Sequence, residues 1–270
     1  MSKRLSHFIW LLMPGAVMKS LVCWGTTLGL VGSTVIGSVL GSMPVLALPQ
    51  EQILQKLGPV PVFTITDNKG APLIASVPNS KNTGGLAGVF INQKDAQAFV
   101  AQLKTKNPQL AGSVRVVPVS LGEVYKLDQA NQSKPNAVDV AYVPSKQQVD
   151  AALQLLQQNG QKVSKFNGTP LFVAKAGKEK GYLTVKQANQ QVIPFFFNKE
   201  ELQNLLERFK KQQPSMASTI EIQVANLEGV LKTLQTSNDK QLNQIMLIPP
   251  RESIEFVRSI QPAAQTQKKP

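Results

Sequence analysis

Residues 194–232 restate residues 88–126 at an offset of 106 positions, without a gap, and this internal repeat limits the chain to folds built from two related units. Nine of the 39 paired positions are identical: Phe90/Phe196, Asn92/Asn198, Gln97/Gln203, Lys104/Lys210, Pro108/Pro214, Ala111/Ala217, Leu121/Leu227, Val124/Val230 and Lys126/Lys232. Chance would give roughly two or three at ordinary residue frequencies. The chemical pattern repeats more fully than the identities. Asn92 and Asn198 stand where a helix cap belongs, with Asp95 and Glu201 at the capping-box position. Behind them Ala96, Phe99, Val100 and Leu103 have the helical spacing of Leu202, Leu205, Leu206 and Phe209. Pro108 and Pro214 end both helices, because the residue before proline avoids the helical region.

Strands are expected on either side of these helices, over 87–91 and 114–119 in the first copy and 192–197 and 220–224 in the second. A hairpin precedes each: VPVFTI at 60–65 turns at 67–70 into 72–77, and TPLFVA at 169–174 turns at 177–181 into 182–186. Residues 121–127 read as a short helix and 128–136 as a polar surface loop. A strand at 138–143 then leads to a helix at 145–158, with Val149, Ala152, Leu153 and Leu156 on one face and Asn159-Gly160 at its end. A strand over 244–248 and a helix over 251–260, with Ile254, Phe256 and Val257 inward, answer that pair. The fold class expected is α+β: two pseudo-symmetric repeats of a mixed or antiparallel sheet with covering helices, forming one duplicated unit. The boundaries are 1–47 for an export segment, 48–160 and 161–261 for the repeats, and 262–270 for a disordered tail.

Residues 1–47 differ from the rest. They hold no acidic residue, only Lys3, Arg4 and Lys19 as bases, and a diluted apolar run at 21–40 before Val45-Leu46-Ala47. That order matches a signal peptide cleaved after Ala47, with the mature chain beginning near Leu48 and either Met1 or Met18 as initiator. The alternative is a retained anchor, since 21–40 is long enough to span a bilayer. Cys23 follows bulky Val22 without a full preceding apolar region, which argues against lipidation.

Cleavage has a chemical consequence. His7 and Cys23 are the chain's histidine and cysteine, so the mature protein would contain neither. Disulfides, thiol nucleophiles, histidine bases and the usual zinc ligands go with them. The mature chain keeps 26 bases against 16 acids, a net +10. Most lysines are scattered; Lys175, Lys178 and Lys180 in a hairpin, and Arg208, Lys210 and Lys211 in a helix's last turn, read as solvated faces. No nucleophile elbow, Walker loop, dinucleotide fingerprint or metal cluster is present, and KAGKEKG at 175–181 lacks the Lys-Ser/Thr ending of a phosphate loop. Glu200 and Glu201 fall at a helix start, where the dipole accounts for them. No catalytic residue, cofactor, metal or nucleic-acid site is therefore assigned.

The densest apolar feature is PFFF at 194–197. On a strand Phe195 and Phe197 share one face and Phe196 the other, so both faces need cover. Either the strand is central and buried, or one face underlies a groove that accepts unfolded polypeptide. Phe195 and Phe197, with their first-copy counterparts Val89 and Ile91, are the candidate polypeptide-binding residues.

Five stretches taken in order, VPVFTITD at 60–67, GVFI at 88–91, VRVVPVSL at 114–121, PLFVAKAGKEKGYLT at 170–184 and VIPFFF at 192–197, carry a resemblance. The chain resembles the Tic family of twenty-two-kilodalton soluble components of the chloroplast inner-envelope translocon, and in particular their cyanobacterial homologues. The likeness spans 48–261. It implies a non-enzymatic, chaperone-like protein with a pseudo-symmetric fold and apolar pockets, periplasmic in cyanobacteria with the thylakoid lumen as alternative, and linked to outer-membrane biogenesis. Its partners would be unfolded outer-membrane or translocating precursors, with peripheral membrane contact through basic charge. The rival from another class is a scaffold docked to a membrane translocon or assembly machine.

Overall fold

The computed structural model describes residues 48–76, 84–131, 134, 136–177, 179–187, 190–237 and 239–260. The expected export segment with Ala47, His7 and Cys23, the Lys178 side chain and the tail 262–270 lie outside them.

The chain runs α1 (Gln50–Leu57), β1 (Pro61–Asp67), β2 (Ile74–Ala75), β3 (Leu86–Phe90), α2 (Gln93–Lys106), α3 (Pro108–Gly112), β4 (Val114–Ser120), α4 (Leu121–Asn131), β5 (Asp139–Val143) and α5 (Lys146–Gln158). It continues through β6 (Pro170–Ala176), β7 (Gly181–Tyr182), β8 (Val185–Gln187), β9 (Gln190–Phe196), α6 (Lys199–Gln212), a 3-10 turn (Pro214–Thr219), β10 (Glu221–Asn226), α7 (Leu227–Thr236), a second 3-10 turn (Lys240–Gln244), β11 (Ile245–Ile248) and α8 (Arg251–Ile260).

Two mixed sheets result. In the first, β1 pairs antiparallel with β3 and β4, and β5 lies parallel to β3. In the second, β6 pairs antiparallel with β9 and β10, and β11 lies parallel to β9. Phe63 sits opposite Phe90 in one sheet, and Phe172 opposite Phe196 in the other. The α+β class is thus that of the sequence pattern, and most elements fall within two residues of their expected bounds.

Three expectations need correction. Of the returning strand expected at 72–77, residues 72–76 give a bridge from Pro72 to Thr66 and the two residues of β2, which pairs with β3; Asp67 holds the turn before them, its Oδ1 accepting from the amides of Lys69 and Ala71. The loop expected from 128 starts later, since α4 continues to Asn131. The buried side of α5 is centred on Gln148 and Ala152, with Ala151 and Leu155 beside them, rather than on Val149, Leu153 and Leu156. A helix missed by the sequence reading, α7, buries Leu227, Val230, Leu231 and Leu234, a stripe at helical spacing.

The sheets share an inner core. Val60, Val62, Val89 and Ile91 from one meet Leu171, Val173, Ile193, Phe195 and Phe197 from the other, with α1, α4 and α7 contributing Leu57, Leu121 and Leu227. Each sheet's outer face has its own cluster. On the first, Phe63, Ile65 and Phe90 lie under Ala96 and Phe99 of α2 and Phe256 of α8, the Phe63 and Phe256 rings 5.8 Å apart. On the second, Phe172, Ala174 and Phe196 lie under Leu202 and Leu206 of α6 and Ala152 of α5. The cover is therefore crossed. The helix that follows the first sheet's strands, α5, packs on the second sheet, and the last described helix, α8, returns to the first.

Candidate functional site at the seam between the sheets

The structure brings the four candidate polypeptide-binding residues together and buries them. Val89, Ile91, Phe195 and Phe197 belong to the one inner cluster and are 3, 4, 5 and 2% exposed. Strand alternation explains this: one face of β3 and of β9 turns inward, and PFFF supplies bulk to both faces of its sheet. A polypeptide reaches these residues only if the sheets part. Among the described residues the large apolar side chains left exposed are Leu127, at 55%, and Ile260, at 50%.

Around the starts of the covering helices the contacts are polar. Asn92 caps α2 as its position suggests, its Oδ1 accepting from the Asp95 amide at 2.8 Å. Asn198 makes no such bond to α6. Its place is taken by Gln148, a buried residue of α5, whose Oε1 accepts from the Lys199 amide at 2.9 Å and whose Nε2 donates to Glu200 at 2.7 Å. Gln147 donates to the other Glu200 oxygen at 3.0 Å. Burial would raise the Glu200 carboxyl, but the bonds from Gln148, its own amide and Gln147, with Lys199 alongside, outweigh this and hold it below its ordinary range. Glu201 in turn accepts from the first amide of α8, Arg251, at 2.8 Å, and from Asn198 Nδ2 at 3.2 Å. Lys94 at the start of α2 pairs with Glu252 of α8 at 2.5 Å. The start of α6 is thus satisfied by a side chain from the first half of the chain, and an ion pair joins the starts of α2 and α8 across the halves.

Between the starts of α5 and α6 lies a groove of about 520 Å³, lined by Lys146, Gln147, Asp150, Gln154, Lys199, Glu200 and Gln203 around Ala151. Apolar grooves were expected; this one is polar. A narrow crevice elsewhere touches Ile91, Asn92, Phe197 and Asn198 at the ends of both sheets.

Three further polar contacts tie the inner core. Both Glu228 oxygens accept from the Thr169 amide, at 3.1 and 3.0 Å; burial raises this carboxyl more than the amide lowers it. Gln235 of α7 donates to the Tyr125 hydroxyl of α4 at 3.0 Å. Lys56 of α1 donates to the carbonyls of Asn243 and Ile245 at 2.8 and 3.1 Å, and burial lowers its ammonium. The basic groups singled out in the sequence are partly balanced: Lys180 pairs with Glu221, Lys210 with Glu207, and Lys175 lies over the Tyr182 ring. Among the described residues no group of three or more acids, histidines or cysteines is placed to hold a metal ion.

The fold has counterparts among known proteins. The model of the Tic22-like family matches residues 12–259. A solved structure, Anabaena Tic22 (protein transport), is 36% identical and superposes with a TM-score of 0.69 over 79% of this chain and 98% of that one. Tic22 from Plasmodium falciparum shares the fold at 20% identity, with a TM-score of 0.60 over 77% of this chain and 96% of that one. Protein TIC 22, chloroplastic, of Pisum sativum is 26% identical over 220 residues, 80% of this chain and 81% of its own length. The chain belongs to the Tic22-like family.

Proposed function

We propose that the protein acts in protein transport across a cell envelope, as an exported, non-enzymatic holdase for unfolded outer-membrane or translocating precursors. The observation that carries the reading is the match to Anabaena Tic22, a protein-transport protein, over nearly all of that chain. The chloroplastic relatives fit a shared envelope setting, and the basic, acid-free start with Ala47 before Leu48 fits cleavage into the periplasm, or into the thylakoid lumen. Positive charge speeds encounter with anionic precursors or lipid. The mature protein should keep an unfolded porin soluble at near-stoichiometric ratio; aggregation unchanged over a range of ratios would end this reading. Fractionation with N-terminal sequencing tests compartment and cleavage together.

The same reading takes the chain as one unit doubled, with repeats 48–160 and 161–261. The matching strand pairings, and the facing Phe63/Phe90 and Phe172/Phe196, support it. A second reading, a scaffold docked to a translocon through a fixed surface, draws support from the burial of Val89, Ile91, Phe195 and Phe197. Recovery of one folded partner at fixed stoichiometry, indifferent to unfolded competitors, distinguishes it.

A further inference from the structure

β4 and β10 occupy the same place in their sheets, each an edge strand paired, among the described residues, on one side only, with β1 and with β6. The phase of their hydrogen bonds follows from one contact in each. The Leu121 amide donates to the Val60 carbonyl at 2.8 Å, and the Leu227 amide donates to the Thr169 carbonyl at 2.8 Å. In an antiparallel ladder inward and outward residues alternate. Counting back along the registers, Val119 and Val117 face β1, while Pro118 turns its backbone to the free edge. Likewise Ala225 and Gln223 face β6, while Val224 and Ile222 turn theirs outward.

The two edges differ at one matched position. Pro118 lies opposite Phe63, and Val224 lies opposite Phe172. Proline removes the outward N–H at the middle of β4, a common way of blunting an edge. Val224 keeps it. Among the described residues no hydrogen bond reaches the outward N–H or C=O of Ile222 or Val224. At the far edge of the same sheet the Ile245 carbonyl of β11 is taken by Lys56. The six residues of β10 are all half-buried, and Ile222 and Val224 pack against the outer cluster of the second sheet, so the strand is held in place.

We propose that the free edge of β10 is where the protein takes its polypeptide partner, as an extended strand added beside Ile222 and Val224. Only an extended backbone reciprocates alternating N–H and C=O groups at this spacing, and backbone pairing accepts many sequences, as a holdase for β-rich precursors requires. The mode rests on the transport reading above and gives it a place on the molecule that does not require the buried Phe195 and Phe197 to be uncovered.

The test uses the mature chain and a neutral strand peptide, acetyl-Glu-Thr-Val-Thr-Val-Thr-Val-Lys-amide, followed by amide exchange in NMR. The peptide should slow exchange of the Ile222 and Val224 amides, and the same peptide N-methylated at every inner residue should not. Val224→Pro, which copies Pro118, should weaken peptide binding by about tenfold or more with the circular dichroism spectrum unchanged, the worth of a lost hydrogen bond. If that variant fails to fold, the N-methylated peptide decides. Equal protection by both peptides, no protection of these amides, or protection produced by raising the protein concentration alone, which would make a second copy the occupant, each overturns the proposal. An unfolded porin separates it from the parent reading. Porin kept soluble by wild type and not by Val224→Pro supports the edge. Equal activity of both removes the edge and leaves the transport reading, and inactivity of both with the peptide bound removes the transport reading and leaves the edge.

Discussion

Gln148 accepts the Lys199 amide at 2.9 Å, so α6 is capped by a side chain from α5, 51 positions earlier in the chain. The neighbouring bond to Glu200, at 2.7 Å, makes the same residue a buried donor and acceptor at once. Gln148→Ala would leave the Lys199 amide unpaired and should lower stability by about 1–3 kcal/mol, read as a shifted urea midpoint with unchanged slope. Gln148→Glu should cost more at neutral pH, because it sets a second carboxylate against Glu200, and should regain stability when Glu200→Gln is added.

Glu228 offers a pH test. Its folded carboxyl lies above the ordinary value because burial outweighs the Thr169 amide. A carboxyl raised in this way adds stability that is complete below its unfolded value and is lost as pH rises through the folded one. Stability of Glu228→Gln relative to wild type should therefore climb with pH across that window and then level off. Glu228→Ala should cost about 1–3 kcal/mol at the acid end of the series, because the Thr169 amide then has no acceptor, and the cost should shrink as pH rises through the same window. Urea titrations over a pH series read both.

Phe197, at 2% exposure, fills the inner core. Phe197→Asp should unfold the protein, since an unpaired charge and a cavity fall together in one place and exceed about 4–5 kcal/mol. Phe197→Leu should cost about 1–2 kcal/mol and leave a cooperative transition. A Phe197→Asp variant with native circular dichroism would contradict the core assignment and return the residue to a client-binding face.

Glu201 holds the start of α8 through the Arg251 amide. Glu201→Ala should cost about 1 kcal/mol, in the range of a lost cap. The loss should be local: exchange of the Ser253 and Ile254 amides should quicken while the β6 ladder keeps its protection.

Much of the fold was legible because it is local. The Asn92 cap, the stops at Pro108 and Pro214, the period-two strands and the Asp67 turn depend on neighbours within a few residues, and each produced its element. The face of α5 was misread because Val149, Leu153 and Leu156 make a sound apolar stripe, yet a distant helix start needed Gln148 and turned that side inward. α7 carries a local signal of the same kind, Leu227, Val230, Leu231 and Leu234 at helical spacing. PFFF left two readings open, since a strand buried on both faces and a strand under a groove have the same residues.

Most elements and their order follow from local signals, because propensity, capping and periodicity act over less than one helix or hairpin. Packing across the chain places α5 and α8 on the opposite sheets, brings Val89, Ile91, Phe195 and Phe197 into one closed core, and puts Val224 of β10 at the edge position that Pro118 holds in β4. Those outcomes turn on which surfaces bury each other across more than a hundred residues of chain, and burial is non-directional: apolar side chains specify that they must be covered, and the packing of the whole selects by what.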